Sequence, residues 1–536
     1  MANKTYFFYI DTASRGVNTV DDPRELADNE SPYILNMDVK NKGRVICRTG
    51  YELWGEVAVN FGGRGLHPYY RTYGANSGDY LLSYYGNGKA YYSTPTVGTP
   101  TEIGSLGTDS GSVRSATFGN TAVYGNGLAG NVTQSWAGTG ASADVTNAPD
   151  SKVWGQVNHS LMGVGLTTPT TLQWSDIDEF NDWTTGIASN STVGIGDGQD
   201  ITWVGTVNDN PVVFKERSIF PIEISFDTSD ICLRFAFKER KNSCGGCIAT
   251  GSVVPIANSQ GESAYYLSEN GFEAYGVVEN LAATNNPNSI SFKINPTVRR
   301  TNFLYADKIN AEKWEDKYIC IVPFEHSQTN DYAFVQSLEF GSWTVYNGMN
   351  FADIKRFRDA NQRDMLIAQS ANEAKLFKFN NNFSDNGFGY ERVFQSKTFT
   401  FGNRIKWEWL DVIGSKTIGS TIYVQIDVDG RTELYKINDR HLIKGAGGGF
   451  IGDNGVGDSY CGGGFPGNAT PLYDYKARIA VKNIQYGNEF KFKVYNNGDG
   501  EGWSLRGYGY KVQGLNDEVA TANTDSGYAY GIPYNT

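Results

Sequence analysis

The sequence predicts an all-β fold: a β-propeller of about seven blades, six being the alternative count, with an N-terminal arm and a C-terminal antiparallel β-sandwich. Three observations predict it. Glycine supplies 63 of 536 residues and tyrosine 33, an enrichment that favours short strands and tight turns over helices. Apolar runs repeatedly flank turn residues that accept positive φ at little cost. The turns recur near residues 87, 126, 167, 216 and 270, at separations of 39, 41, 49 and 54. A period of ~40–50 residues holding about four strands is the signature of propeller blades. A set of β-sandwiches has similar local turn spacing, so the pattern alone leaves that architecture open.

Residues 1–55 read as an arm with the first strands, polar and interrupted by Pro23. Residues 56–395 read as the propeller. "DYLLSYYGNGKAYYST" turns on Gly86-Asn87-Gly88, "AVYGNGL" on Gly125-Asn126-Gly127, "NPVVFKERSIFPIEI" on Lys215 to Ser218, and "AYYLSENGFEAYG" on Asn270-Gly271. "DYAFVQSLEFGSWTVY" turns near Leu338 to Gly341 and "MLIAQSANEAKLFKF" near Ser370 to Asn372. From residue 60 to 395 the 335 residues give roughly seven blades at ~48 residues each. "DKINAEKWEDKY" is one of the few segments that reads as helical. Residues 396–515 resume alternating strands as the sandwich, with a glycine-rich loop at 444–468. Residues 516–536 form a polar tail expected to order only against a partner.

Lys and Arg number 46 against 58 Asp and Glu, a net charge of −12, which argues against a phosphate-binding surface or a DNA-reading role. An acidic wall along which DNA passes without sticking remains compatible with it. The cysteines, Cys47, Cys232, Cys244, Cys247, Cys320 and Cys461, are too sparse for a disulfide framework and fit reduced thiols and cytoplasmic synthesis. The N-terminal apolar run spans only Tyr6 to Ile10, and no run approaches the ~18 residues that cross a bilayer. Neither export nor membrane insertion is expected.

One stretch, "QWSDIDEFNDWTTG", sets Asp176, Asp178, Glu179 and Asp182 between Trp174 and Trp183. A glycosidase needs two carboxyl groups across a sugar site, one desolvated so that it stays protonated. Acids in one polar loop stay solvated, so this stretch, like Asn270-Gly271, reads as a structural motif. Cys244-Gly-Gly-Cys247 lacks the second ligand pair that zinc requires. "DVDGRTE" at Asp427 to Glu433 and "GIGDGQD" at Gly194 to Asp200 lack the spacing of a calcium loop and read as hairpin turns. No catalytic, cofactor or metal site is expected.

The opening "GVNTVDDPRELADNESPYILNMDVKNKGRVICRTGYE" resembles the start of tail proteins of tailed bacteriophages. The resemblance rests on Gly16, Asn18, Asp22-Pro23, Leu26 to Glu30, Asn36 to Asp38, Gly43-Arg44 and Arg48 to Gly50. "LQWSDIDEFNDWTTG", "ITWVGTVNDNPVVFKERSIFPIEI", "CGGCIATGSVVPI" and "AYYLSENGFEAYG" are similar to the central blades of the same group, the tail hub, nozzle and head-completion β-propellers of short-tailed phages. The likeness runs from about residue 16 to about 430. It implies a virion protein, not an enzyme: a ring of identical subunits, six being expected, below the portal and adaptor, extending the DNA channel, retaining packaged DNA and conducting it during ejection. Its implied partners are itself, the portal, adaptor and other tail proteins, and viral DNA passing without sequence recognition, with no stable membrane insertion. Asp22, Pro23, Asn36 and Arg48 then belong to an arm that contacts a neighbouring subunit, and the Trp-Ser-Asp loop is architectural. The glycine-rich insertion at 444–468 and the polar tail depart from the group, so their contacts do not carry over. A receptor- or glycan-binding tail protein, using Tyr and Trp as sugar platforms, is the alternative from another class; a propeller scaffold for protein interactions is a third.

Overall fold

The computed structural model describes residues 5–10, 13–40, 43–74, 76–107, 111–165, 167–227, 232–237, 245–258, 261–276, 289–380, 382–443 and 472–514. Strand accounts for 57% and helix for 4%, which makes the fold all-β. The chain forms two compact units: a propeller unit, Leu53–Ala333 and Met349–Lys378, and a sheet unit, Met1–Glu52, Phe334–Gly348 and Phe379–Thr536. These limits differ from the expected succession of arm, propeller and sandwich, because the early strands are hydrogen-bonded members of the sheet unit. The glycine-rich loop at 444–468 and the tail at 516–536 lie outside the described residues.

Six blades make the propeller. Blade 1 is a meander of Gly63–Arg71, Gly78–Tyr85, Lys89–Thr94 and Val97–Ser105. Blade 2 runs from Arg114–Phe118 to Ala143–Asp144, blade 3 from Ser151–Val157 to Ser189–Thr192, and blade 4 from Ile201–Val207 to Cys232–Phe237, each of four strands. Blade 5 has Val254–Asn258, Gly261–Ser268 and Gly271–Gly276. Blade 6 has Phe351–Arg358, Asp364–Ser370 and Lys375–Phe379, and takes its fourth strand, Tyr51–Glu56, from before blade 1. Between blades 5 and 6 the hairpin of Asn310–Trp314 and Lys317–Val322 inserts its first strand into the ring of inner strands. The sequence allowed about seven blades or six, and six are present.

The hairpin overlaps the segment "DKINAEKWEDKY" that reads as helical. Its residues are paired from Asn310↔Ile321 to Trp314↔Lys317, with Glu315 at φ 52 in the turn. Strand pairing in the ring overrides the helix-forming Ala, Glu and Lys. The helical turns stand just upstream, at Phe292–Ile294, Asn295–Val298 and Phe303–Lys308.

Blades pack through apolar faces. Val153, Met162 and Trp174 of blade 3 meet Val204, Val213 and Phe220 of blade 4 in one buried cluster. The inner strands approach so closely that a Cβ on Gly155 would lie 2.2 Å from the Val204 carbonyl oxygen. Only glycine fits there.

In the sheet unit one long strand, Phe399–Lys416, organises the fold. Its first part pairs with Tyr486–Asn496, and its remainder pairs with Tyr473–Ala480 on one side and Trp503–Gly514 on the other. Register shifts after Thr400 and Trp407 mark the change of partners, as expected where a strand bends from one layer into another. Thr5–Ile10 adds antiparallel to Trp503–Gly514. The unit is not purely antiparallel, since Gly16–Val17 runs parallel to Glu30–Ser31 and Val345 pairs in parallel with Leu35. Its core is aromatic: Trp407 stacks on Phe490 at 4.0 Å between centroids and packs tilted against Tyr510 at 5.5 Å.

Trp407 is 1% exposed, so Trp407→Ala opens a cavity and loses ring contacts together. We expect a loss of about 3–5 kcal/mol, read as a lower denaturant midpoint by far-ultraviolet circular dichroism.

Candidate functional site

The loop between Trp174 and Trp183 closes on itself. The Trp174 Nε1–H donates to the Ile187 carbonyl at 2.8 Å, and the Trp183 Nε1–H to the Phe180 carbonyl at 2.9 Å. Asp176 accepts the Ile187 N–H at 2.9 Å, while its own N–H donates to the Asp182 carbonyl at 2.9 Å. Donors from the Thr185 side chain and the Thr184 and Thr185 backbone hold Asp182 below the usual carboxylate range, opposite to the shift a glycosidase acid needs. Trp174 packs edge-on to Phe235 and Trp183 edge-on to Trp154. Asp178 pairs with His159 at 2.9 Å, both exposed. The arrangement fixes a turn by satisfying its backbone.

The turn at Asn270-Gly271 is equally committed. Gly271 has φ 124, and a Cβ there would lie 2.4 Å from Asn295 Oδ1. The Asn270 N–H donates to Ser268 Oγ, which also bonds the buried Glu273. Of the Cys244/Cys247 pair, Cys244 lies outside the described residues. Cys247 is a buried free thiol donating to the Ala249 carbonyl, and burial pushes its pKa up to about 11, which makes it inert. Among the described residues no group of three or more His, Cys, Asp or Glu stands ready for a metal ion.

The four arm residues separate into two kinds. Asp22 and Pro23 are exposed; the Asp22 carboxylate accepts the Arg24 N–H at 2.9 Å and the Pro23 carbonyl accepts the Thr398 N–H at 2.9 Å. Asn36 and Arg48 are buried within the sheet unit. Asn36, at φ 54, donates to Asn347 Oδ1 and to the Glu391 carbonyl. Arg48 donates to Asn36 Oδ1 at 3.1 Å and grips Asp385 with both terminal nitrogens. Its guanidinium lies 3.9 Å from the centre of the Tyr390 ring, which Arg392 covers at 3.8 Å. Desolvation lowers the Arg48 pKa, but the Asp385 charge and hydrogen bonds outweigh it, and the net shift is upward.

A cluster that sequence reasoning missed occupies the ring of inner strands. Arg114 of blade 2 donates to Asn310 Oδ1 of the hairpin and to the Asp307 carbonyl at 3.0 Å, and Ser112 Oγ donates to the same carbonyl at 2.8 Å. These bonds join non-neighbouring positions and therefore span the propeller axis. Asp353 accepts the Leu66 N–H at 2.9 Å and lies 3.4 Å from Lys355 Nζ. His67 bonds Thr117 Oγ1 at 2.9 Å through Nε2; burial, helped by the Lys355 charge, lowers its pKa to about 4. Burial raises the pKa of Glu312, Lys355 and Arg356 opposing it. No motif links these residues, which come from four separate strands. Their geometry ties inner strands together through hydrogen bonds and one ion pair.

No protein-family model matches this chain, and no curated protein matches it either.

Two outcomes follow from the buried charges. Asp385→Ala leaves the Arg48 guanidinium buried without its counter-charge and should cost about 3–5 kcal/mol, whereas adding Arg48→Met should recover part of the loss; denaturant midpoints of the three chains decide it. His67 has a folded pKa of about 4 against about 6.5 unfolded. The unfolded chain therefore binds the extra proton first, and stability falls as pH drops from about 6.5 to 4, by at most about 3 kcal/mol. His67→Gln should flatten that slope relative to the wild type in melting curves at pH 7 and 5, a comparison in which Glu312 cancels.

Proposed function

We propose that this chain is a structural protein of a bacteriophage tail that assembles with copies of itself, six in the expected ring, below the portal and adaptor, where the ring retains packaged DNA and conducts it during ejection. The observation that carries the reading is where the phage-like residues lie. Asn18, Glu30, Asn36, Asp38 and Arg48 of the opening motif are all buried, and Trp174, Asp176 and Trp183 hold a blade turn together. The likeness is thus one of fold-determining residues, and the function it carries is architectural.

The bonds from Arg114 to Asn310 and Asp307 cross the propeller's own axis. In this reading DNA travels through a channel enclosed by several copies, not through the propeller. The net charge of −12 suits a wall that DNA slides past. A propeller with paired blade strands keeps few free edges, which suits a part under load.

Electron microscopy of the purified chain, with its mass in solution and with virions, tests the proposal. Six-fold rings, or density for this chain on the tail axis, are expected. A persistent monomer absent from that axis overturns the reading and directs attention to glycan binding.

A further inference from the structure

In an antiparallel blade the first-to-second and third-to-fourth strand turns emerge on one face, and the second-to-third turns and the crossings between blades on the other. Residues 175–188 join the third and fourth strands of blade 3 and lie on the first face, as the contact of Asp178 with His159 in the first turn of that blade requires. Ser289 pairs with Glu273 at the edge of blade 5. The residues that follow, 290–309, cross to the hairpin on the opposite face, where Ser112 of another crossing reaches Asp307.

That crossing holds the helical turns and is poorly covered: Leu304 is 90% exposed and Phe292 51%. It carries Lys293, Arg299, Arg300 and Lys308 against Asp307. Even with Glu325, which pairs with Arg300, it keeps a positive excess on a chain of net charge −12. The opposite face has the complementary character. Ile177 is 38% exposed beside Asp178 and Glu179, and the first turn of blade 4 adds Asp209. Turns 158–159, 175–188 and 208–209 contain no Lys or Arg.

We propose that the basic, apolar crossing at 290–309 of one copy docks on the acidic turn face of blades 3 and 4 of the next copy. Exposed Leu304 and Phe292 call for a protein surface, since phosphates offer nothing apolar to cover them. The positive excess calls for an acidic one. This chain presents both in one place. Two different patches on opposite faces make a heterologous contact, the kind that closes into a ring when the rotation allows. The inference rests on the ring reading and names the surface that builds it.

Sedimentation of the full-length wild type is compared with that of Arg299→Glu/Arg300→Glu, of Leu304→Asp, and of Asp178→Lys/Glu179→Lys, with circular dichroism confirming the fold of each. Each variant should raise the concentration for half-assembly by about tenfold or more, and the chain carrying both charge reversals should assemble again. Assembly that ignores the reversals overturns this contact and leaves the ring reading standing. A wild type that stays monomeric at every concentration overturns both. Loss of nucleic-acid binding in Arg299→Glu/Arg300→Glu with assembly unchanged overturns the contact in favour of a phosphate surface.

Discussion

The propeller depends on one closure: Tyr51–Glu56 must become the fourth strand of the blade whose other strands end at Phe379. Without it the last blade would present an open edge, and the chain would enter blade 1 with nothing fixing where the ring begins. The contact joins residues more than 300 positions apart, so its loop-closure entropy is borne before any reward from pairing. The neighbouring sequence is arranged for close approach. A Cβ on Gly55 would lie 1.9 Å from the Gly98 carbonyl oxygen, and one on Gly98 equally close to that of Trp54. Two backbones without side chains can meet there, which seats the closing strand against blade 1.

In the sheet unit the comparable constraint is charge. Arg48 and Arg392 are each buried and share the two faces of the Tyr390 ring. Arg48 has the Asp385 carboxylate, and the two terminal nitrogens of Arg392 donate to Asn496 Oδ1, the Gly498 carbonyl and the Phe383 carbonyl. Such groups add little net stability over an apolar core, but every alternative packing strands a guanidinium without partners. They therefore specify which strands meet: residues near 36 and 48 with those near 347, 385 and 390. Hydrophobic patterning alone would not distinguish these short strands from many others.

This division explains what was legible in the sequence. Strand pairs around Gly86-Asn87-Gly88 and Asn270-Gly271 could be read because the turn residues state their own backbone geometry; Gly88 and Gly271 have positive φ. The turn at Trp174 to Trp183 could be read as a loop because its acids are local. Closure by Tyr51–Glu56, the passage of Phe334–Gly348 into the sheet unit, and the axis cluster could not, since they depend on partners far along the chain. Arg114, His67, Glu312 and Lys355 look like ordinary strand residues until four inner strands converge. The hairpin at Asn310–Val322 was obscured for the opposite reason: its local composition favours a helix, and pairing in the ring decides against it.

The axis cluster also bears on how such a body can move. A ring of blades joined only by apolar faces resists separation of neighbours, yet it can flatten, because non-directional packing tolerates small sliding. Arg114 reaches from blade 2 to Asn310 and Asp307 near the hairpin, and Asp353 bonds the Leu66 backbone of blade 1. The Arg114 bonds join strands that are not neighbours in the ring, while the Asp353 bond pins blade 6 to the adjacent blade 1; both are directional and charge-assisted. The ring is thus held by directional bonds and a seated closing strand as well as by apolar packing, so sliding at a seam they span must also break a hydrogen bond of fixed geometry.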